Sequence, residues 1–262
     1  MKMEIGLSML YCLRYPFAYL LRQLSEIEVN HVELVDEGLH TLSSRRVNAI
    51  RKVAQARGLQ FTVHAPLVDV NLASPNVSFR RATLKRLKRS IYLSSQLDSR
   101  LWVFHSGLQT GVSHLYPGQD WELNLKSVRE LLDAAEEYGV ELAIENTPDP
   151  FPFILKTADE FVRFYGDLGR SDLALTLDVA HAHINGQLSR FFERLSDKIV
   201  HAHLHDNHGE FDYHLGIGRG NINWPEVTQM FKKINYKGAL IIESETNIEE
   251  SIQTLKTLVQ NA

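Results

Sequence analysis

Residues 199–224, IVHAHLHDNHGEFDYHLGIGRGNINW, hold five of the chain's twelve histidines. At their start Val200, Ala202 and Leu204 alternate with His201, His203 and His205, the period-2 signature of a strand. Such a strand aims three imidazoles the same way. Asp206, Asp212 and His214 follow at once, and Gly216, Gly218 and Gly220 make the next stretch a turn. Nitrogen and carboxylate donors gathered at one strand end read as a metal site. The remaining elements must then bring further donors to meet them.

Short apolar strands alternate with amphipathic helical stretches along the whole chain. The expected strands are 4–9, 31–35, 60–64, 101–105, 141–145, 174–178, 199–205 and 239–243, with helices such as 43–57, 79–96, 123–138 and 224–234 between them. Gly58, Gly139 and Gly238 fall just before the third, fifth and eighth strands, where a helix C-terminal glycine belongs. Eight βα rounds with no composition shift, linker or repeat predict an α/β fold, a single (β/α)8 TIM barrel spanning 1–262. A doubly wound open sheet is the alternative.

Phase within the strands carries more than their number. Thr62 and His64, Val103 and His105, Glu141, Ala143 and Glu145, Thr176 and Asp178, and Ile241 and Glu243 share the inward phase. From the third strand to the eighth, each inward row thus ends on His, Asp or Glu. In a barrel those ends converge on the C-terminal mouth, where active sites of this architecture lie. Taken singly, His64 or His105 reads as a hydrogen-bonded structural histidine, and a strand-end Glu as solvated. Jointly, with His181 three residues beyond Asp178, they imply bound divalent cations, because clustered carboxylates otherwise raise one another's pKa. The imidazole and carboxylate mixture suits Zn²⁺, Mn²⁺, Co²⁺ or Fe²⁺ better than Mg²⁺ or Ca²⁺.

The other features have plainer readings beside the functional ones. His201 lies one layer deeper than His203 and is expected to orient a ligand. His183, His205 and His208 are placed to touch substrate or simply to be exposed. Glu33 ends the second strand inward, either to bind substrate hydroxyls or as a structural carboxylate. The three glycines lack dinucleotide spacing and read as a tight turn that leaves Arg219 for an anionic group. Arg80, Arg81, Lys85, Arg86, Lys88 and Arg89 read as a solvated helix face. A formal charge of −4 argues against a nucleic-acid partner held by charge alone, although bound cations would alter that balance. Cys12 is the one cysteine, so no internal disulfide forms, which agrees with a reducing cytosol. No signal-like start and no membrane-length run is read, so a cytoplasmic enzyme without membrane association is expected.

The motifs VHAP (His64), VFHSG (His105), IENTP (Glu145), LDVAH (Asp178, His181), HLHDN (His203), DYH (Asp212, His214) and IIESE (Glu243) together resemble the xylose isomerase-like TIM barrels. That superfamily includes sugar isomerases and epimerases and the endonuclease IV type of abasic-site nuclease. The resemblance covers essentially the whole chain.

In the epimerase branch it implies one metal held by Glu145, Asp178, His203 and Glu243. Glu145 and Glu243 would move a proton on opposite sides of the sugar through a metal-bound enediolate. The Arg that epimerases carry shortly after the metal histidine is missing here, where the region reads His208, Gly209 and Glu210.

In the nuclease branch it implies three Zn²⁺: one on His64, His105 and Glu145, one on Glu145, Asp178, His203 and Glu243, and one on His181, Asp212 and His214. The loop after the second strand, VDEGLHTLSS, has no Arg or Gln wedge for a DNA duplex. VELVDEG, HAPLVDVNLAS and GRGNINW look like sugar phosphate isomerases. The resulting expectation is a divalent-metal-dependent isomerase or epimerase acting on a small sugar or sugar phosphate. One to three Zn²⁺, Mn²⁺ or Co²⁺ ions would be bound per chain. The alternative is a trinuclear zinc phosphodiesterase, the only reading under which nucleic acid is a partner.

Overall fold

The computed structural model describes residues 3–261, so the ends of the expected 1–262 span lie outside the described residues. Eight parallel strands close into one barrel in sequence order. They are β1 (Glu4–Ser8), β2 (His31–Val35), β3 (Gln60–His64), β4 (Leu101–His105), β5 (Glu141–Glu145), β6 (Leu173–Asp178), β7 (Ile199–Leu204) and β8 (Ala239–Ile242). Around them run α1 (Phe17–Glu26), α2 (Ser44–Arg57), α3 (Val77–Ser95), α4 (Gln119–Tyr138), α5 (Ala158–Leu168), α6 (Val179–Ile184), α7 (Leu188–Leu195), α8 (Trp224–Lys233) and α9 (Ile248–Asn261). The open doubly wound alternative is excluded, because β1 pairs with β8. No helix among the described residues is long and apolar enough to cross a membrane.

Local chemistry starts and stops the helices where the sequence marks them. Ser43 and Asn76 cap α2 and α3 through their side chains, and Thr157 with Glu160 forms a capping box on α5. Gly58 and Gly139 close α2 and α4 in the left-handed conformation, at φ +68° and +66°.

Gly238 departs from the expectation, since α8 ends at Lys233 with Ile234 as its cap. A Cβ at Gly238 would collide with the Val200 carbonyl oxygen and the Tyr236 ring, so close approach, not helix capping, requires the glycine. Gly238→Ala is expected to destabilise the barrel by about 1–3 kcal/mol through overpacking, read as a lowered denaturant midpoint at unchanged slope.

The layer between strands and helices buries Trp102, Phe104, Phe161, Phe164, Phe191 and Phe231. Inside the barrel, Leu101, Val103, Ala143 and Ala174 form a small apolar floor beneath the mouth. Val200 packs onto that floor, contrary to its expected outward phase. The cause is a register shift between β6 and β7. Leu175 pairs with Ile199 but Thr176 with His201, so Val200 is the extra residue of a bulge. Beyond the bulge, His201 and His203 recover the inward phase.

Candidate metal centre

Strand ends deliver the donors to one place. Ligand atoms of Glu145, Asp178, His203 and Glu243, all four buried, lie within 4.8 Å of one another. His64, His105 and Glu145 make a second such group, and His181, His205, Asp212 and His214 a third. All nine residues expected to ligate are therefore brought together around the mouth, with Glu145 shared between the first two groups.

Two observations test whether these residues fit cations. First, Glu145 Oε1 and His203 Nδ1 are buried without a hydrogen-bond partner although they stand only 3.2 Å apart. Glu243 Oε2 is 3.3 Å from the same Nδ1. Buried polar atoms that converge without aligning on each other are what a shared cation requires.

Second, backbone carbonyls fix three imidazoles by their far nitrogen. His64 Nδ1 donates to Ala65 O at 2.9 Å, His181 Nδ1 to Asn146 O at 2.9 Å, and His214 Nδ1 to Glu243 O at 2.8 Å. In each ring this leaves Nε2 to face the cluster, 3.3 Å from Glu145 for His64 and 3.2 Å from Asp212 for His181 and His214. Donation from the remote nitrogen is the usual way a protein orients a metal-binding imidazole. The residues fit divalent metal.

Without a cation, protons balance the charge. Burial disfavours ionised Glu145, yet the imidazoles of His203 and His105 outweigh it and hold the carboxyl well below its usual range. Burial also opposes the charged form of each imidazole, and the carboxylates overcome it. His64, beside Glu145, rises to about 9. His181, between Asp178 and Asp212, rises to about 10, and His214, bonded to Asp212, to about 9.

From the ordinary value of 6.5 up to these raised values, the metal-free fold holds protons that the unfolded chain has lost. The stability these imidazoles contribute is full below pH 6.5 and falls as pH rises toward 9 to 10. A divalent metal held by these imidazoles would have to displace the same protons, so its binding would release them and its apparent affinity would rise with pH over that window. Calorimetric titration with Mn²⁺ in two buffers of different ionisation enthalpy is expected to show this release. Proton uptake would contradict it.

Glu33, read either as a substrate contact or as structural, is fully buried below the cluster. Its carboxylate accepts from Thr62 at 3.2 Å and bonds His201 at 2.9 Å, with His203 Nε2 also at 2.9 Å. That placement gives it a positioning part beneath His203. His205 is also buried, with Nε2 3.1 Å from Asp178 and its ring stacked at 4.0 Å on His214, so it joins the third donor group. Arg219 is exposed and bonded to Glu250 at 2.6 Å. His183 bonds Asn221 at 2.8 Å.

Two residues have roles that the sequence does not announce. The Asn146 side chain clasps the Asp178 backbone, accepting from its N–H at 2.8 Å and donating to its carbonyl at 2.9 Å, which fixes where the carboxylate starts from. Asp206, next to the candidate donors in sequence, is the hub of the loop after β7. It accepts from Gly218 N at 2.9 Å, Asn207 N at 3.0 Å, Ile222 N at 3.3 Å and Trp224 Nε1 at 2.8 Å. Gly220 is required beside this hub, because any Cβ there would collide with Asn207 O and the Asp206 carboxylate.

Comparison with known proteins places the barrel in a family. The sequence matches the family described as xylose isomerase-like TIM barrel over residues 21–258. An uncharacterized protein of Methanocaldococcus jannaschii is 30% identical over 98% of this chain and 88% of its own length. A D-psicose 3-epimerase of Ruminiclostridium cellulolyticum is 25% identical over 87% of this chain and 78% of its own. Among solved structures, a D-tagatose 3-epimerase-like protein superposes with a TM-score of 0.93 at 30% identity, covering 98% of this chain and 97% of that one. With its closed barrel and its donors at the strand ends, the chain belongs to the xylose isomerase-like TIM barrel family.

Proposed function

We propose that the chain is a divalent-metal-dependent isomerase or epimerase of a sugar or sugar phosphate, with Glu145 and Glu243 moving a proton at the carbon beside the carbonyl. One observation carries this reading. Two buried carboxylates from different strand ends stand 3.2 and 3.3 Å from the same His203 Nδ1, so two bases flank one cation position. A divalent ion held by Glu145, Asp178, His203 and Glu243 would polarise the carbonyl and acidify the neighbouring C–H.

The chain's own groups do the rest. Glu145 is steadied on its second oxygen by His64 at 3.3 Å and His105 at 3.2 Å. Glu243 accepts from the Ser8 hydroxyl at 3.4 Å on Oε1. Burial of both carboxylates keeps bulk water from competing for the proton. Similarity to the D-psicose 3-epimerase over most of the chain supports the same reading.

The direct test is an NMR screen of ketoses and aldoses, free and phosphorylated, with enzyme loaded with Mn²⁺, Co²⁺ or Zn²⁺. Conversion of one sugar into its epimer or isomer is expected. No conversion across the panel with any of the metals would overturn the proposal.

The third donor group, His181, His205, Asp212 and His214, favours a second reading, a zinc phosphoesterase of the endonuclease IV type. A single-metal epimerase does not need that group. Roughly three zinc ions per chain together with cleavage of an abasic-site duplex would establish it.

A further inference from the structure

An aromatic arc leads outward from the centre. The His105 ring meets Phe153 at 5.4 Å, Phe153 meets Phe151 at 6.4 Å, and Phe151 meets Phe211 at 5.9 Å. Tyr213 continues it at 5.4 Å from Phe211. The inner end is a member of a candidate metal group, whereas the outer rings are open: Phe151 and Phe211 are each 40% exposed and Tyr213 is 49% exposed.

Backbone bonds hold both supporting loops. Gln109 N donates to Pro152 O at 2.7 Å and Ile154 N to Gly107 O at 3.0 Å, while Asp206 and Leu215 exchange bonds at 2.8 and 3.0 Å. A fixed, exposed aromatic surface continuous with a reaction centre is suited to a ligand that extends out of that centre. The C–H face of a pyranose ring complements an aromatic face in both shape and charge.

Charge narrows the ligand further. The loops that follow the eight strands contain three Lys or Arg residues, Arg14, Lys156 and Arg219. Each is paired with a carboxylate: Arg14 with Glu245 at 2.9 Å, Lys156 with Asp149 at 2.5 Å, and Arg219 with Glu250 at 2.6 Å. Among the described residues of those loops, every Lys and Arg therefore has its charge balanced by a carboxylate, which leaves the rim without a net cationic patch.

We infer that the substrate is a neutral carbohydrate longer than one sugar ring, with its reacting end at the carboxylates and its outer ring on Phe151, Phe211 and Tyr213. This rests on the isomerase reading and adds a substrate class to it. The test compares D-fructose, D-fructose 6-phosphate and two ketoses that carry a second neutral ring, lactulose and isomaltulose, on metal-loaded enzyme. Steady-state kinetics are paired with saturation-transfer NMR, which reads binding without turnover.

Saturation is expected on the outer ring of at least one disaccharide. Phe151→Ala and Phe211→Ala should raise the KM or Kd of that disaccharide about tenfold while leaving D-fructose unchanged. Phe211→Tyr should keep the wild-type value, which guards against a folding defect. Absence of saturation on both outer rings, equal effects on fructose and disaccharide, or a preference for the phosphate would overturn the inference. Outer-ring saturation without turnover of any sugar would sink the isomerase reading and leave the shelf as a carbohydrate subsite.

Discussion

Glu145→Gln is expected to lower turnover by at least about a thousandfold, the upper range for loss of a positioned acid or base. Glutamine fills the same volume, so the barrel should stay folded and the effect should fall on kcat. The change removes the one carboxylate common to two donor groups. It also removes the charge that His64, His105 and His203 face at 3.2 to 3.3 Å. Metal analysis and circular dichroism on the variant separate loss of the base from loss of the ion or the fold. Turnover within about tenfold of wild type would remove Glu145 from the chemistry.

Asp206→Ala is expected to cost about 3–5 kcal/mol, the range for removing one partner of a buried charged network. Four donors converge on this fully buried carboxylate, three of them backbone N–H groups of the loop that carries Asp212 and His214. Alanine would leave them unpaired in a space that excludes water. Thermal unfolding should show the loss, and limited proteolysis should find 207–222 newly cleavable. Asp206→Asn keeps the shape and part of the bonding, so it should lose less. A loss below about 1 kcal/mol for Asp206→Ala would mean that the loop is held by other contacts.

Much of the barrel is visible in the sequence because its strands are short, apolar and bounded by helix caps such as Gly58 and Gly139. Phase is readable for β3 to β6 because Thr62 and His64, or Ala143 and Glu145, alternate with aliphatic or aromatic neighbours without interruption. It fails at Val200, where a bulge adds one residue and periodicity gives no sign of it.

The candidate donors are legible for the same reason: the strand-borne ones stand at the ends of inward rows or, for His203, one step before. What they bond to is not. Asp206 and Asp212 are alike in composition, and only the fold shows that one gathers backbone N–H groups while the other faces His181 and His214. Asn146 is silent in the sequence because an amide beside a carboxylate has no pattern of its own; its role appears only once β6 brings Asp178 alongside. Glu33 shows the same limit, since its inward phase is clear but its depth beneath His203 depends on barrel closure.

If the paired carboxylates exchange a carbon-bound proton in a metal-dependent way, the most direct measurement is deuterium wash-in from heavy water into a ketose, followed by NMR on metal-loaded and chelator-treated enzyme. The expected result is deuterium at the carbon beside the carbonyl with metal, its loss on chelation, and its recovery when Mn²⁺ or Co²⁺ is restored. Epimerised or isomerised product carrying no solvent deuterium, or exchange that persists undiminished after metal removal, would contradict it.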